Sequence, residues 1–139
     1  MRSVMIMLAV MLGADANLAQ AQVREDYALL TTHVDASTIA KRTAEGRVLE
    51  FVDVLGRRNR CAYTERGRVK AVSYSSESGV FTIRFVYNKR EELTSMVLAD
   101  RTTVLFRSGK MQPSTGKPSL AETYAAALEH WLARNNSGL

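Results

Sequence analysis

Six arginines, Arg47, Arg57, Arg58, Arg60, Arg66 and Arg68, fall within 22 residues of chain. Arginine suits the recognition of carboxylate and phosphate, because its planar guanidinium donates in bidentate geometry and stays charged. The chain as a whole has a formal net charge of +5, a balance that draws anionic surfaces and says nothing about fold. Binding of an anion is therefore the chemistry these residues suggest, and the six are the candidate partner-binding set. The competing reading is that charge at hairpin ends keeps a sheet soluble and its edges unpaired. No stacking aromatics interleave with the arginines, so an envelope protein or an anionic polysaccharide is expected as partner rather than a specific nucleic acid.

Other reactive groups are few. His33 and His130 are the only histidines, and His130 beside Trp131 sits where a helix C-terminus favours a protonated imidazole. There is no Cys/His cluster at metal spacing, no Gly-x-Ser-x-Gly and no phosphate loop. The expectation is a non-enzymatic protein with no catalytic residue, no metal ligand and no cofactor. Cys61, the sole cysteine, has no partner for an internal disulfide. Its place in a predicted strand makes it a small buried hydrophobe.

The chain opens with one arginine, Arg2, then the uncharged run Val4 to Leu12, then Ala19-Gln20-Ala21. Charged start, short apolar core and Ala-x-Ala together predict a secretory leader over residues 1–21, a mature chain from Gln22, and a periplasmic or secreted location. Nine apolar residues are too few to cross a bilayer, which needs about 20. The remainder is the length of one small domain, residues 22–135, with a short tail.

To hold the arginines, the chain offers a β-meander over residues 46–108. Short alternating runs are broken at near-regular intervals by turn residues. Six strands are predicted: 47–54, 59–64, 68–75, 80–87, 93–99 and 102–107. In the fourth, Phe81, Ile83, Phe85 and Tyr87 alternate with Val80, Thr82, Arg84 and Val86. Upstream, Val23, Tyr27, Leu30 and Val34 have helical spacing, with a strand over Ala28–Thr32 as the alternative. Asp35 could cap a short helix from Ala36 to Glu45, ended by Gly46. Downstream, the linker from Gly109 to Pro118 holds both prolines, and Ser119-x-x-Glu122 is a capping box. It opens a helix over residues 119–135 whose stripe is Leu120, Tyr124, Ala127, Leu128, Trp131 and Leu132. The expected fold is α+β, with the helices on one face of the sheet.

The meander repeats itself. Gly46-Arg47-Val48 and Gly67-Arg68-Val69 are 21 residues apart, and Tyr63-Thr64-Glu65-Arg66-Gly67-Arg68-Val69 is echoed by Tyr87-Asn88-Lys89-Arg90-Glu91-Glu92-Leu93. A period near 20 means a repeated hairpin unit. On these residues, the stretch from Gly46 to Phe106 resembles the YD repeats of rearrangement-hot-spot (RHS) and teneurin-like proteins. It departs from them at Tyr63-Thr64 and Tyr87-Asn88, in place of Tyr-Asp, and at Glu91-Glu92, in place of Gly-Arg. The resemblance implies an exported β-sheet module and assigns no catalytic residue.

Three functions follow as expectations. The first is an exported binding protein that presents a basic hairpin end to an anionic or protein partner. The second is a structural fragment related to YD-repeat shells, and the third is a small exported hydrolase.

Overall fold

In a computed structural model, which describes residues 19–137, eight antiparallel strands lie side by side in the order in which the chain visits them. They are β1 (Thr38–Arg42), β2 (Val48–Val52), β3 (Arg58–Tyr63), β4 (Val69–Ser76), β5 (Gly79–Tyr87), β6 (Leu93–Val97), β7 (Thr103–Arg107) and β8 (Lys110–Gln112). Helix α1 covers residues 19–32 and α2 covers Leu120–Asn135. The fold is α+β with an antiparallel meander and a C-terminal helix. It has eight strands where the sequence predicts about six.

The six expected strands are β2 to β7, and the two missed ones are the edges. Instead of a helix from Ala36 to Glu45 there is a 3-10 turn at Val34–Ala36, followed by β1. The β-branched pair Thr38 and Ile39 suits a strand, and β2 supplies the partner, with Ile39 opposite Phe51. Gly46, expected to end that helix, instead takes φ +92° in the β1–β2 turn. At the other edge, Lys110–Gln112 pairs with β7 from inside the predicted linker.

The core lies between the helices and one face of the sheet. Val48, Phe51, Cys61, Val72, Ile83, Phe85, Met96, Val104 and Phe106 point from the strands toward Val23, Tyr27 and Leu30 of α1 and Tyr124, Ala125, Leu128, Trp131 and Leu132 of α2. Alternation along the strands puts the intervening residues on the opposite face, except in β2, where register shifts against β1 accompany the burial of both Val48 and Phe51, three residues apart. The α2 stripe is shifted from the one predicted, since Leu120 is exposed and Ala125 is fully buried. The capping box forms as expected, and the Glu122 carboxylate accepts a further hydrogen bond from Ser114 N at 2.7 Å.

Residues 1–18, with the apolar run of the predicted leader, lie outside the described residues. Ala19-Gln20-Ala21 lies inside them, as the start of α1. No helix among the described residues is long and apolar enough to cross a membrane.

Candidate binding surface

One turn design sets the positions of half of the candidate arginines, Arg47, Arg66 and Arg68. In the β1–β2 turn, Thr43 N donates to Arg47 O, Gly46 N to Thr43 O, and Arg47 N to Thr43 Oγ1. The β3–β4 turn repeats all three bonds with Thr64, Gly67 and Arg68. The β5–β6 turn repeats them with Asn88, Glu91 and Glu92. The fourth residue has positive φ each time, +92° at Gly46, +83° at Gly67 and +65° at Glu91. Glycine adopts that conformation without steric penalty, so Glu91 holds a strained place.

The tyrosines repeat as well. Tyr63 Oη donates to Val48 O at 2.6 Å and Tyr87 Oη to Val69 O at 2.7 Å. The Arg47 guanidinium stands 5.8 Å from the Tyr63 ring centroid, and that of Arg68 stands 5.9 Å from Tyr87. Burial pushes the Tyr87 hydroxyl up to about 12, so it stays a donor at neutral pH.

The six arginines do not form one patch. Successive hairpins of a meander open at alternate ends of the sheet, which places Arg47, Arg66 and Arg68 at one end and Arg57 at the other. Arg58 and Arg60 lie on β3 itself. Gathering by the two Gly-Arg turns therefore holds for three of the six only.

Arg57 is taken up by the fold. Its Nε donates to Asp53 Oδ2 at 2.9 Å, its Cζ lies 3.9 Å from the Tyr74 ring centroid, and Asp26 of α1 stands 4.0 Å away. Burial is the largest influence and opposes the Arg57 charge, but the Asp53 carboxylate together with Tyr74 and Tyr124 outweighs it, and the pKa ends above the ordinary value. Asp53 is buried and also accepts from Leu55 N, Arg57 N and Asn59 Nδ2. A buried charge needs such partners. Arg47 is half-buried against Tyr63, and Arg66 faces Glu91 at 3.7 Å.

The sheet face away from the helices carries a separate set of charges. The basic residues on the strands are Lys41, Arg42, Arg58, Arg60, Lys70, Arg84, Arg107 and Lys110, and the one acidic residue is Glu50. Arg42 does not belong to this face, since it sits opposite the buried Val48 and donates to Asn135 O at the end of α2. Glu50 is matched by Arg58 at 3.5 Å. Arg60 and Arg84 are exposed and have no ion pair among the described residues. Short side chains lie between them, since Arg60 sits opposite Ser73, which sits opposite Thr82, while Ala62, Ala71 and Arg84 run across the next row; on their outer sides Arg60 faces Glu50 and Arg84 faces Val97. Sequence reasoning included Arg60 but missed Lys70 and Arg84. The alternation in β5, which sets Arg84 opposite to Phe85 in facing, was the available signal.

At the end that carries Arg66 and Arg68, a cleft of about 450 Å³ opens between the sheet and the last turns of α2. Val69, Phe85, Leu93 and Leu132 make its apolar wall, and Glu129 lines it from the helix. Desolvation raises the Glu129 pKa above its ordinary value, against the lowering effects of His130 and Arg68. Elsewhere, the buried Cys61 thiol is pushed up to about 12 by desolvation and is no thiolate at neutral pH. His33 and His130 are both exposed. Among the described residues, no group of three or more His, Cys, Asp or Glu could hold a metal ion.

Comparison with protein-family models, with curated proteins and with solved structures gives no match.

Proposed function

We propose that this is a small exported binding protein that takes an anionic polysaccharide on the solvent face of its sheet. The observation that carries this reading is the segregation of charge, with basic residues on the strands and a single paired acid among them. Arg60 and Arg84 are its centre. Both are exposed, and the alanine, serine and threonine side chains between them let a polyanion backbone approach each guanidinium fork. Export follows from the leader pattern ahead of Gln22.

Such binding should weaken as salt rises, because exposed charges are screened over about 8 Å at physiological ionic strength. Elution of the mature chain from heparin and from immobilised polygalacturonate along a salt gradient tests it. The double variant Arg60→Gln/Arg84→Gln should leave the column at clearly lower salt than the parent, while Arg66→Gln, at the sheet end, should elute near it. Co-elution of the double variant with the parent on both resins would sink the proposal. N-terminal sequencing of the exported protein tests the leader, with Gln22 as the expected first residue.

A second reading, kinship with YD-repeat shells, is favoured by one observation. Hydrogen bonds and arginine–tyrosine stacking recur at Tyr63 and Tyr87, the residues that carry the sequence resemblance. Appending a further Tyr-Asp-x-x-Gly-Arg unit after β8 tests it. A cooperative, more stable sheet is expected if the units stack, and an unfolded appendage if they do not.

A further inference from the structure

We infer that the cleft between the sheet end and α2 binds a primary ammonium group carried on an aliphatic stem, with Glu129 as its counter-ion. The inference is independent of the sheet-face reading. It stands on the shape and lining of the cleft. A volume of about 450 Å³ falls within the range of small-ligand sites, roughly 300–1,000 Å³. Val69 and Leu93, partly exposed in the wall with the buried Phe85 and Leu132 behind them, suit methylene groups.

Glu129 makes no hydrogen bond and no ion pair among the described residues, although it is half-buried. Water still reaches its carboxylate, since the buried side-chain atoms left without a partner among the described residues are Tyr27 Oη and Thr31 Oγ1, and an ammonium entering the cleft would replace that water with a charge-assisted hydrogen bond. The charged and titratable groups around it are Arg68, Glu91 and Glu92 from the turns, Tyr87 from β5 and His130 on α2. Arg68, the basic side chain among the residues that line the cleft, is held at the turn. Its Nη2 donates to Glu91 O at 2.9 Å and its guanidinium lies over the Tyr87 ring. Glu91 is faced by Arg66, and Glu92 accepts from Asn88 Nδ2 at the rim. The unmatched carboxylate on the wall is that of Glu129.

An ammonium on a stem could come from a free alkylamine or from a lysine side chain, so two probes are used. Amide NMR shifts of the mature chain are followed during titration with n-pentylamine and with Nα-acetyl-lysine methylamide, and 1-pentanol serves as the uncharged control. Saturable shifts at Gly67–Val69, Leu93, Gly109 and Leu132–Ala133 are expected with at least one amine and not with the alcohol. The tighter amine names the source. Glu129→Gln should weaken amine binding about tenfold or more, the scale of a lost charged hydrogen bond. Glu77→Gln, in the β4–β5 turn at the opposite end, should bind as the parent does. Acidification should weaken binding as Glu129 gains its proton. Equal shifts with 1-pentanol, undiminished binding by a folded Glu129→Gln variant, or no saturable shift with either amine would each overturn the inference.

Discussion

The Arg47 side chain crosses one whole hairpin to lie against the backbone of Gly67, where a Cβ would meet its Cζ at 2.7 Å. The same guanidinium stands over Tyr63, the residue that opens the second Gly-Arg unit. Gly67 therefore answers two demands, positive φ and an empty Cα face. Gly56 answers only the first, with φ +77° and no atom within 4 Å of where a Cβ would stand. Gly56→Ala should cost about 1–2 kcal/mol for the left-handed backbone, and Gly67→Ala about 0.5–1 kcal/mol more for the displaced cation–π contact. In an Arg47→Ala background that excess should vanish. Chemical denaturation of the four variants checks it.

Arg57 belongs to the fold rather than to a contact surface. Replacing it by Gln leaves the buried Asp53 carboxylate without its guanidinium and the Tyr74 ring without its stacked partner. Removing one member of a buried ion pair costs about 3–5 kcal/mol, and a loss near the lower figure is expected because Arg57 keeps some exposure. Arg58→Gln, where an exposed guanidinium meets the largely covered Glu50, should cost about 1 kcal/mol. Urea midpoints of the two variants separate these roles, and similar losses would remove the distinction.

Trp131 anchors α2 to β2. Its ring is 3 % exposed and lies 4.8 Å from the Phe51 ring centroid at a tilt of 52°. Trp131→Ala should destabilise the protein by about 3–5 kcal/mol, a large share of what a small domain has to lose. An unchanged thermal melt would mean that α2 stays docked without it.

Two glutamates on α2 should respond to pH with opposite sign. Backbone N–H groups of Ser119 and then Ser114 hold Glu122 below its ordinary value. Its contribution is present above the unfolded pKa of 4.5 and is lost as pH falls through the folded one. Desolvation raises Glu129, so the folded state binds the extra proton and stability falls as pH rises through that titration. Glu122→Gln should flatten the acid limb of the stability curve. Glu129→Gln should gain on the parent above that interval and match it below. Urea melts across a pH series test both, and slopes of the same sign would contradict the assignment.

Local periodicity was enough to specify much of this protein. Alternation encodes β2 to β7, helical spacing encodes the α1 contacts Val23, Tyr27 and Leu30, and Ser119 with Glu122 encodes the start of α2. The sheet edges are another matter. The five residues of β1 and the three of β8 are strands because a neighbour pairs with them, and nothing in so short a run records that neighbour. Folding also settles which arginines are free. Arg57, Arg58 and Arg60 look alike along the chain. Asp53 from the same turn, Asp26 from α1 and Tyr74 from β4 converge on Arg57, Glu50 reaches Arg58 from the adjoining strand, and Arg60 is left to solvent. Charge can be counted in a sequence, but whether it is neutralised by an internal partner depends on groups that only folding brings within a few ångströms.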